Sequence, residues 1–169
     1  MKKKIVRYCI VLVCVALFTT CKSDETNPVQ TVLVNLTLSL NGELANWAPN
    51  TMITITPDAN GYGVITFIDS KLPKKYINQR VYGKGIVVYQ SLSSEFYVFD
   101  LTCTLAEHKQ SCVVVPSWGT LLECPCCNSQ FIIGGQYDAH PTDKSKASFS
   151  LRYYYASLDY PVLHLYSYN

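Results

Sequence analysis

The chain has 169 residues, of which 49% are hydrophobic, 15% charged and 12% aromatic. This composition excludes an intrinsically disordered protein, because such chains are poor in apolar and aromatic side chains. The length suits one domain with its own hydrophobic core. The formal net charge of +2 gives no reason to expect a nucleic-acid partner. The eight cysteines are the unusual feature, and their positions guide the interpretation.

The beginning of the chain has the pattern of a secretory signal peptide. Basic residues precede an apolar stretch, residues 8–18, that is too short to cross a bilayer as a helix, which takes about 20 residues. Cys21 stands at the expected cleavage point, and its surroundings resemble the lipobox of bacterial lipoproteins, in which this cysteine carries lipid. The sequence therefore predicts a signal peptide over residues 1–20, a lipidated tether over residues 21–31 and membrane anchorage through Cys21.

The residues that follow Cys21 also indicate where the protein is delivered. Residues 22–25 resemble the short acidic stretch that exports lipoproteins to the cell surface in Bacteroidetes. The resemblance implies an outer-membrane lipoprotein on the periplasmic or cell-surface face. Without the signal peptide, ten Lys and Arg stand against twelve Asp and Glu, so no basic surface remains for nucleic acid. We expect a monomer, and the sequence identifies no protein partner.

From residue 32 onward, short strand patterns alternate with turns. Residues 32–40 alternate apolar and polar side chains and end at an Asn-Gly turn. Further strands are predicted over residues 52–56, 64–68, 86–90, 95–101, 149–156 and 162–168. No segment has helical periodicity with caps. The pattern predicts one all-β domain over residues 32–169, a small antiparallel barrel or sandwich.

Tyrosines concentrate near the C-terminus of the chain. Six of them lie in or between the last two predicted strands: Tyr153, Tyr154, Tyr155, Tyr160, Tyr166 and Tyr168. Tyrosine has a high strand propensity and an amphipathic ring. We therefore interpret these residues as half-buried sheet positions rather than as a ligand-binding surface.

Five cysteines remain once Cys9 and Cys14 leave with the signal peptide and Cys21 carries lipid. They lie within 25 residues of one another: Cys103, Cys112, Cys124, Cys126 and Cys127. An odd number cannot pair completely within one chain. Two motifs contain them, Asp-Leu-Thr-Cys over residues 100–103 and Cys-Pro-Cys-Cys-Asn-Ser-Gln-Phe over residues 124–131.

These two motifs resemble the first and second cluster loops of a Rieske 2Fe-2S domain, in the form found in Rieske-like lipoproteins of Bacteroidetes. The segments 83–89, 139–141 and 151–153 are similar to those that flank the loops in that family. The resemblance covers about residues 32–169 and is strongest over 83–131. It implies an antiparallel β barrel or sandwich of the Rieske iron-sulfur type.

The ligand positions depart from the Rieske pattern. A Rieske centre binds one iron through two cysteines and the other through two histidines. Cys103 and Cys124 occupy the cysteine positions, whereas Leu105 and Cys127 occupy the histidine positions. Leu105 has no ligand atom, so we do not expect an ordinary Rieske centre. The resemblance then implies a lipid-anchored envelope protein with a degenerate cluster site, a structural or interaction role and no cofactor. We also find no nucleophile elbow or phosphate loop, and expect no enzyme.

Three alternatives remain open for the cysteines, and the first is a rebuilt metal site. Its ligands are Cys103, His108, Cys124 and Cys127, hereafter the Cys3His set. Three thiolates and one imidazole suit tetrahedral zinc or an altered 2Fe-2S cluster, which makes the chain an electron-transfer or metal-binding protein. The four residues between Cys103 and His108 require the loop to bulge.

The second alternative is disulfide bonding, which the oxidising compartment of an exported protein favours. The Rieske resemblance implies a bridge between the two loops through Cys126. The family's partner position is not a cysteine here, but Cys112 is close to it in sequence. Cys103 then pairs with Cys124 or Cys127. The third alternative is that the thiols remain free and buried.

Overall fold

The computed structural model describes residues 26–108 and 110–168, and within them the chain is nearly all β. The helical part of these residues is one turn of 3-10 helix, η1 (Ala106–His108). The strands are β1 (Asn35–Ser39), β2 (Thr51–Pro57), β3 (Tyr62–Phe67), β4 (Lys75–Arg80), β5 (Ile86–Gln90), β6 (Phe96–Asp100), β7 (Val115–Trp118), β8 (Leu121–Glu123), β9 (Gln130–Gly135), β10 (Asp138–Pro141), β11 (Tyr153–Asp159) and β12 (Val162–Tyr166). The predicted all-β class and antiparallel barrel are confirmed.

Eight strands form one antiparallel sheet that curls into a nearly closed barrel. Their order is β1-β12-β11-β6-β5-β2-β3-β4, so β1 and β4 are the two edges. The side chain of Gln79 on β4 connects these edges. Its Oε1 accepts a hydrogen bond from the N–H of Thr37 at 2.8 Å, and its Nε2 donates to the carbonyl of Thr37 at 2.7 Å. One amide side chain thus makes two hydrogen bonds between the edge strands β1 and β4, which are not paired with each other through their backbones.

The interior of the barrel is a hydrophobic core supplied by the inward face of each strand. On β1, Leu36 and Leu38 are buried while their neighbours are largely exposed, as the alternating pattern of this segment predicts. The fully buried Ile53, Ile55 and Ile65 continue the core on β2 and β3. These strand side chains form the centre of the barrel core.

The remaining four strands form a second sheet in the order β10-β9-β8-β7. It packs on the outer face of the barrel, and β5 shows why. Ile86 and Val88 point into the barrel core, whereas Val87 and Tyr89 belong to a second core with residues of the small sheet such as Phe131. A strand covered on both faces is a continuous apolar run rather than an alternating one, which is the sequence of β5.

The sequence-based boundaries differ from the structure in several places. Residues 86–90 coincide with β5, but β4 and β7 to β10 are additional strands. The segment 149–152, predicted as part of a strand, is a loop beside β10, and the N–H of Leu151 donates to the carbonyl of Ala139 at 2.9 Å. Short, polar or proline-containing strands such as β7 have no alternation that a sequence pattern detects.

The start of the described chain packs on the domain. Residues 26–31 fall in the segment assigned to the tether, yet Val29 is buried and its carbonyl accepts a hydrogen bond from Nε of Arg152 at 2.9 Å. Nδ2 of Asn27 donates to the carbonyl of Ser150 at 2.9 Å. The predicted signal peptide and lipidation site at Cys21 lie outside the described residues. Within the described part of the chain, no helix is long and apolar enough to span a membrane.

The bridge made by Gln79 can be tested by Gln79→Ala. We expect the free energy of unfolding to fall by about 1–2 kcal/mol, since two hydrogen bonds of modest net value are lost. The measurement is urea unfolding of the oxidised protein. Gln136→Ala, in an exposed turn, is the matched control, with an expected change within about 0.5 kcal/mol. Equal effects of the two substitutions would show that the bridge does not stabilise the barrel.

Candidate metal centre

Two loops carry the cysteines, the first over residues 101–114 after β6 and the second over residues 124–129 between β8 and β9. Asp100, at the end of β6, fixes the start of the first loop. Its fully buried carboxylate accepts hydrogen bonds from the N–H of Thr102 at 2.6 Å and from the hydroxyl of Tyr154 at 2.7 Å. Burial, together with the nearby Asp100 carboxylate, raises the pKa of Tyr154, so this hydroxyl stays a donor. The aspartate of the first motif therefore has a structural role.

The first loop folds back on itself to return a histidine toward its cysteine. The N–H of Cys103 donates to the carbonyl of Cys112 at 3.0 Å, which holds the two ends of the loop together. Between them η1 occupies the spacer, and the N–H of His108 donates to the carbonyl of Leu105 at 3.0 Å. This turn of 3-10 helix supplies the bulge that the long Cys103–His108 spacing requires.

The second loop is a tight turn that buries its first and fourth residues. The N–H of Asn128 donates to the carbonyl of Cys124 at 2.8 Å, and the N–H of Cys124 donates to the carbonyl of Ser129 at 2.8 Å. Asn128 closes the turn at φ +59°, a left-handed conformation that asparagine tolerates better than most residues. Cys124 and Cys127 are buried as a result, while Cys126 between them is exposed.

The two loops bring the Cys3His set together. The three Sγ atoms and one imidazole nitrogen of Cys103, His108, Cys124 and Cys127 all lie within 4.8 Å of one another. Sγ of Cys103 is 3.8 Å from Sγ of Cys127, and Sγ of Cys124 is 3.9 Å from Nδ1 of His108. The three cysteines are buried and His108 is half-buried. These four residues are those that the sequence named for a rebuilt site.

Ser129 holds the second loop in place and contacts one of these sulfurs. Its buried Oγ accepts hydrogen bonds from the N–H groups of Lys146 at 3.1 Å and Ala147 at 3.0 Å, and lies 3.1 Å from Sγ of Cys127. The thiol of Cys127 donates to this oxygen, and when Cys127 is ionised the Ser129 hydroxyl can donate to the sulfur instead. Burial raises the pKa of Cys127, but the side-chain and backbone hydrogen bonds of Ser129 oppose burial, and the pKa is lowered overall.

Cys103 lies in a different electrostatic environment. Burial in the first place, and the neighbouring sulfur of Cys124 in the second, raise the pKa of Cys103 to about 12. Without a cation, Cys103 therefore keeps its proton at neutral pH, while Cys127 loses its proton more readily. A cation between the sulfurs favours the thiolate form of all three cysteines, since metal ligands must be deprotonated.

The remaining two cysteines lie beside the Cys3His set at disulfide distance. Sγ of Cys112 and Sγ of Cys126 are 2.14 Å apart, which joins the first loop to the second. This is the pairing expected through Cys126. Cys103 and Cys124, the other disulfide candidates, are not bonded to each other and carry free thiols, as does Cys127. Cys112 is half-buried and Cys126 is exposed, whereas the three free thiols are buried. The two bonded sulfurs nevertheless lie within 4.8 Å of Sγ of Cys124.

The distances between the ligand atoms distinguish a zinc ion from a 2Fe-2S cluster. With Zn–S bonds of about 2.3 Å, tetrahedral coordination puts two sulfurs about 3.8 Å apart, and the Cys103–Cys127 separation is 3.8 Å. In a 2Fe-2S cluster, two irons and two sulfides separate the ligands of one iron from those of the other. Ligand atoms that all lie within 4.8 Å of one another leave no room for that core. Leu105, in place of a histidine ligand, packs against the second hydrophobic core. A Rieske-type cluster therefore does not fit.

Comparison with known proteins adds no family to this description. A scan against protein-family models, a search of curated proteins and a search of solved structures each returned no match. The fold and the site are therefore interpreted from this chain's own residues.

His140, another histidine near the predicted flanking loop, lies outside the Cys3His set. It is exposed on β10, where its Nδ1 is 2.8 Å from Oδ2 of Asp138.

The bond between Cys112 and Cys126 predicts equal effects of removing either cysteine. Cys112→Ser, Cys126→Ser and the double substitution should each lower the free energy of unfolding by about 3 kcal/mol, the chain-entropy value for a loop of this length. Chemical denaturation measures the losses, and the double variant avoids leaving one partner of the bridge as a new unpaired thiol beside Cys124. Ser117→Ala, at an exposed position of β7, is the control and should be nearly neutral. A difference above about 1 kcal/mol between the single variants would contradict the pairing.

Proposed function

We propose that this chain is an exported, lipid-anchored module of the cell envelope whose two loops are held by one structural zinc ion in the Cys3His set. The convergence of four ligand atoms within 4.8 Å of one another carries the proposal. Three thiolates and one imidazole are a common donor set for structural zinc. The module is related in plan to the Rieske domains that its loop motifs resemble, with zinc in place of the cluster.

The donor set also indicates what the site does. Four protein ligands close a tetrahedral site, whereas catalytic zinc keeps a position open for water or substrate. The proposed ion therefore has no role as a Lewis acid, and the module is not an enzyme. Zn²⁺ has no redox chemistry, so a zinc site does not carry electrons. What remains is a structural role in a surface module that acts through its shape and its contacts.

Zinc and the disulfide stabilise different parts of the same junction. The Cys112–Cys126 pair lies at the outer, more exposed side of the loops, while the Cys3His set is buried next to the second core. In the metal-free protein the thiols of the buried site ionise unequally. Burial raises the pKa of Cys103, whereas the hydrogen bonds of Ser129 lower the pKa of Cys127. A divalent cation displaces the thiol protons to solvent and offsets two of the three thiolate charges. The metal-free alternative, with the disulfide alone as the link between the loops, is the second candidate.

The zinc proposal predicts one zinc ion per chain in protein exported with its disulfide intact. Elemental analysis measures the stoichiometry, and replacement by Co²⁺ should give the visible absorption of a tetrahedral thiolate site. Cys124→Ser and His108→Ala should each weaken zinc binding by more than about 100-fold, because a ligand is lost outright. His140→Ala is the matched control and should bind zinc as the parent does, since this exposed histidine is outside the set.

Two results would overturn the zinc proposal. Protein with iron and acid-labile sulfide, and the colour of a cluster, would show that a 2Fe-2S group fits after all. Protein that takes up no zinc while its three thiols remain reduced would support the metal-free candidate. Reduced thiols are confirmed by counting alkylated cysteines after unfolding.

The lipid anchor is a separate part of the proposal and rests on the sequence around Cys21. We expect mass spectrometry of the mature N-terminal peptide to find Cys21 as its first residue with covalent lipid attached. Cys21→Ala should move the protein from the detergent phase to the aqueous phase in a detergent-partition assay. Ser23→Ala, two residues further on, should leave partition unchanged. An unmodified N-terminus at another position would contradict lipidation, with no consequence for the zinc site.

A further inference from the structure

A group of tyrosines on the outside of the barrel is larger than sheet formation requires. The tyrosine cluster consists of Tyr137, Tyr153, Tyr155, Tyr166 and Tyr168. Its rings form a connected network, with centroids 5.0 Å apart for Tyr137 and Tyr153, 5.6 Å for Tyr153 and Tyr155, and 4.9 Å for Tyr155 and Tyr168. Tyr155 and Tyr166 lie directly opposite each other on β11 and β12 and their rings are stacked.

Strand propensity explains only part of this cluster. Tyr153, Tyr155 and Tyr166 occupy outward positions of strands. Tyr137 lies in the turn between β9 and β10 of the second sheet, and Tyr168 follows the end of β12, yet both rings join the same network. Tyr137 is 53% exposed, Tyr153 39% and Tyr168 72%, so the network is not a buried core. Large exposed aromatic groups of this kind indicate a binding surface.

Next to these rings is a cleft of about 410 Å³, within the size range of small-molecule sites. Four members of the cluster line it, and the hydroxyl-bearing Thr31 and Ser150 belong to the same lining. The ring planes meet steeply, at 65° for Tyr137 and Tyr153 and 77° for Tyr153 and Tyr155. The three rings therefore form a corner rather than a flat platform.

The chemistry of the lining narrows the class of ligand. Among the described residues that line the cleft, Arg152 is the one charged side chain, and its Nε is committed to the carbonyl of Val29. None of the described residues that line the cleft carries a carboxylate that could attract a cation. At the cleft β11 is a paired strand, with Tyr153 and Tyr154 opposite β6 and Tyr155 opposite β12, so these residues offer no free edge for an added peptide strand. A neutral ligand that offers both apolar faces and hydroxyl groups fits these walls.

We propose that the cleft bounded by the tyrosine cluster binds a neutral saccharide. The apolar C–H face of one pyranose ring stacks in the corner formed by Tyr137, Tyr153 and Tyr155. The tyrosine hydroxyls and the polar side chains of Thr31 and Ser150 hydrogen-bond its hydroxyl groups. The rings already contact one another, so little side-chain freedom is lost when the ligand binds. The site lies on the two sheets and involves no member of the Cys3His set.

The experiment is calorimetric titration of the full exported chain with four neutral oligosaccharides: cellohexaose, maltohexaose, mannohexaose and chitohexaose. We expect at least one to bind with a dissociation constant between about 1 μM and 1 mM. Tyr153→Ala and Tyr155→Ala should each weaken that binding about tenfold or more, because a stacking wall is lost. Tyr153→Phe keeps the ring and should stay within about threefold of the parent. Tyr76→Ala, an exposed tyrosine on β4 away from the cluster, should change nothing.

Three results would overturn the saccharide proposal. One is that none of the four oligosaccharides binds at 10 mM, roughly ten times the weakest constant expected. Another is binding that Tyr153→Ala and Tyr155→Ala leave unchanged. The third is that a proline-rich peptide binds at the cluster while the sugars do not, which would identify a peptide groove instead. Circular dichroism and thermal melting confirm that each variant is folded, and zinc content reports independently on the other proposal.

Discussion

The loop end of this domain depends on how four ligand groups share one small buried space. Three thiols and an imidazole within 4.8 Å of one another cannot all ionise without a compensating cation, because burial and mutual repulsion oppose each further thiolate. In the metal-free protein the pKa of Cys103 is raised and the pKa of Cys127 is lowered, so Cys127 ionises before Cys103. The proposed zinc ion supplies the positive charge that lets the buried thiols ionise. The need for this charge is what connects the two loops with the proposed structural role.

The supporting structure around the site is consistent with a fixed arrangement. Asp100 anchors the start of the first loop through Thr102 and Tyr154, while Ser129 fastens the second loop to the chain at residues 146–147. Both residues belong to the motifs that resemble Rieske cluster loops. In this chain they orient cysteines and backbone, which requires no cluster. These contacts therefore fix the two loops independently of any metal group.

Sequence alone predicted the class of fold better than the bounds of its strands. Period-2 alternation identified β1 and a short β-branched run identified β5, whereas the Cys3His set and the Cys112–Cys126 pair were two of the alternatives drawn from the resemblance to Rieske loops. The structure brings the four residues of the set together and places Cys112 and Cys126 at disulfide distance. The short strands β7 and β8 escaped, because four or fewer residues with a proline or a tight turn have no measurable period. From the sequence, the spacing between Cys103 and His108 required only that the loop bulge. It did not predict that η1 forms this bulge, because 3-10 turns have weak local sequence signals. The tyrosines were interpreted as sheet positions, and the contribution of Tyr137 from another sheet depends on tertiary packing that no local pattern contains.

The two proposed sites occupy different parts of the domain. The proposed zinc ion and the disulfide link the two loops, and the second sheet carries Tyr137 to the cleft. The central claim concerns the ion itself. X-ray absorption at the zinc edge of protein isolated from its envelope tests it most directly. The account predicts three sulfur neighbours at about 2.3 Å and one nitrogen at about 2.0–2.1 Å. A shell of oxygen and nitrogen ligands without sulfur, or an iron edge with short iron–iron scattering in its place, would contradict it.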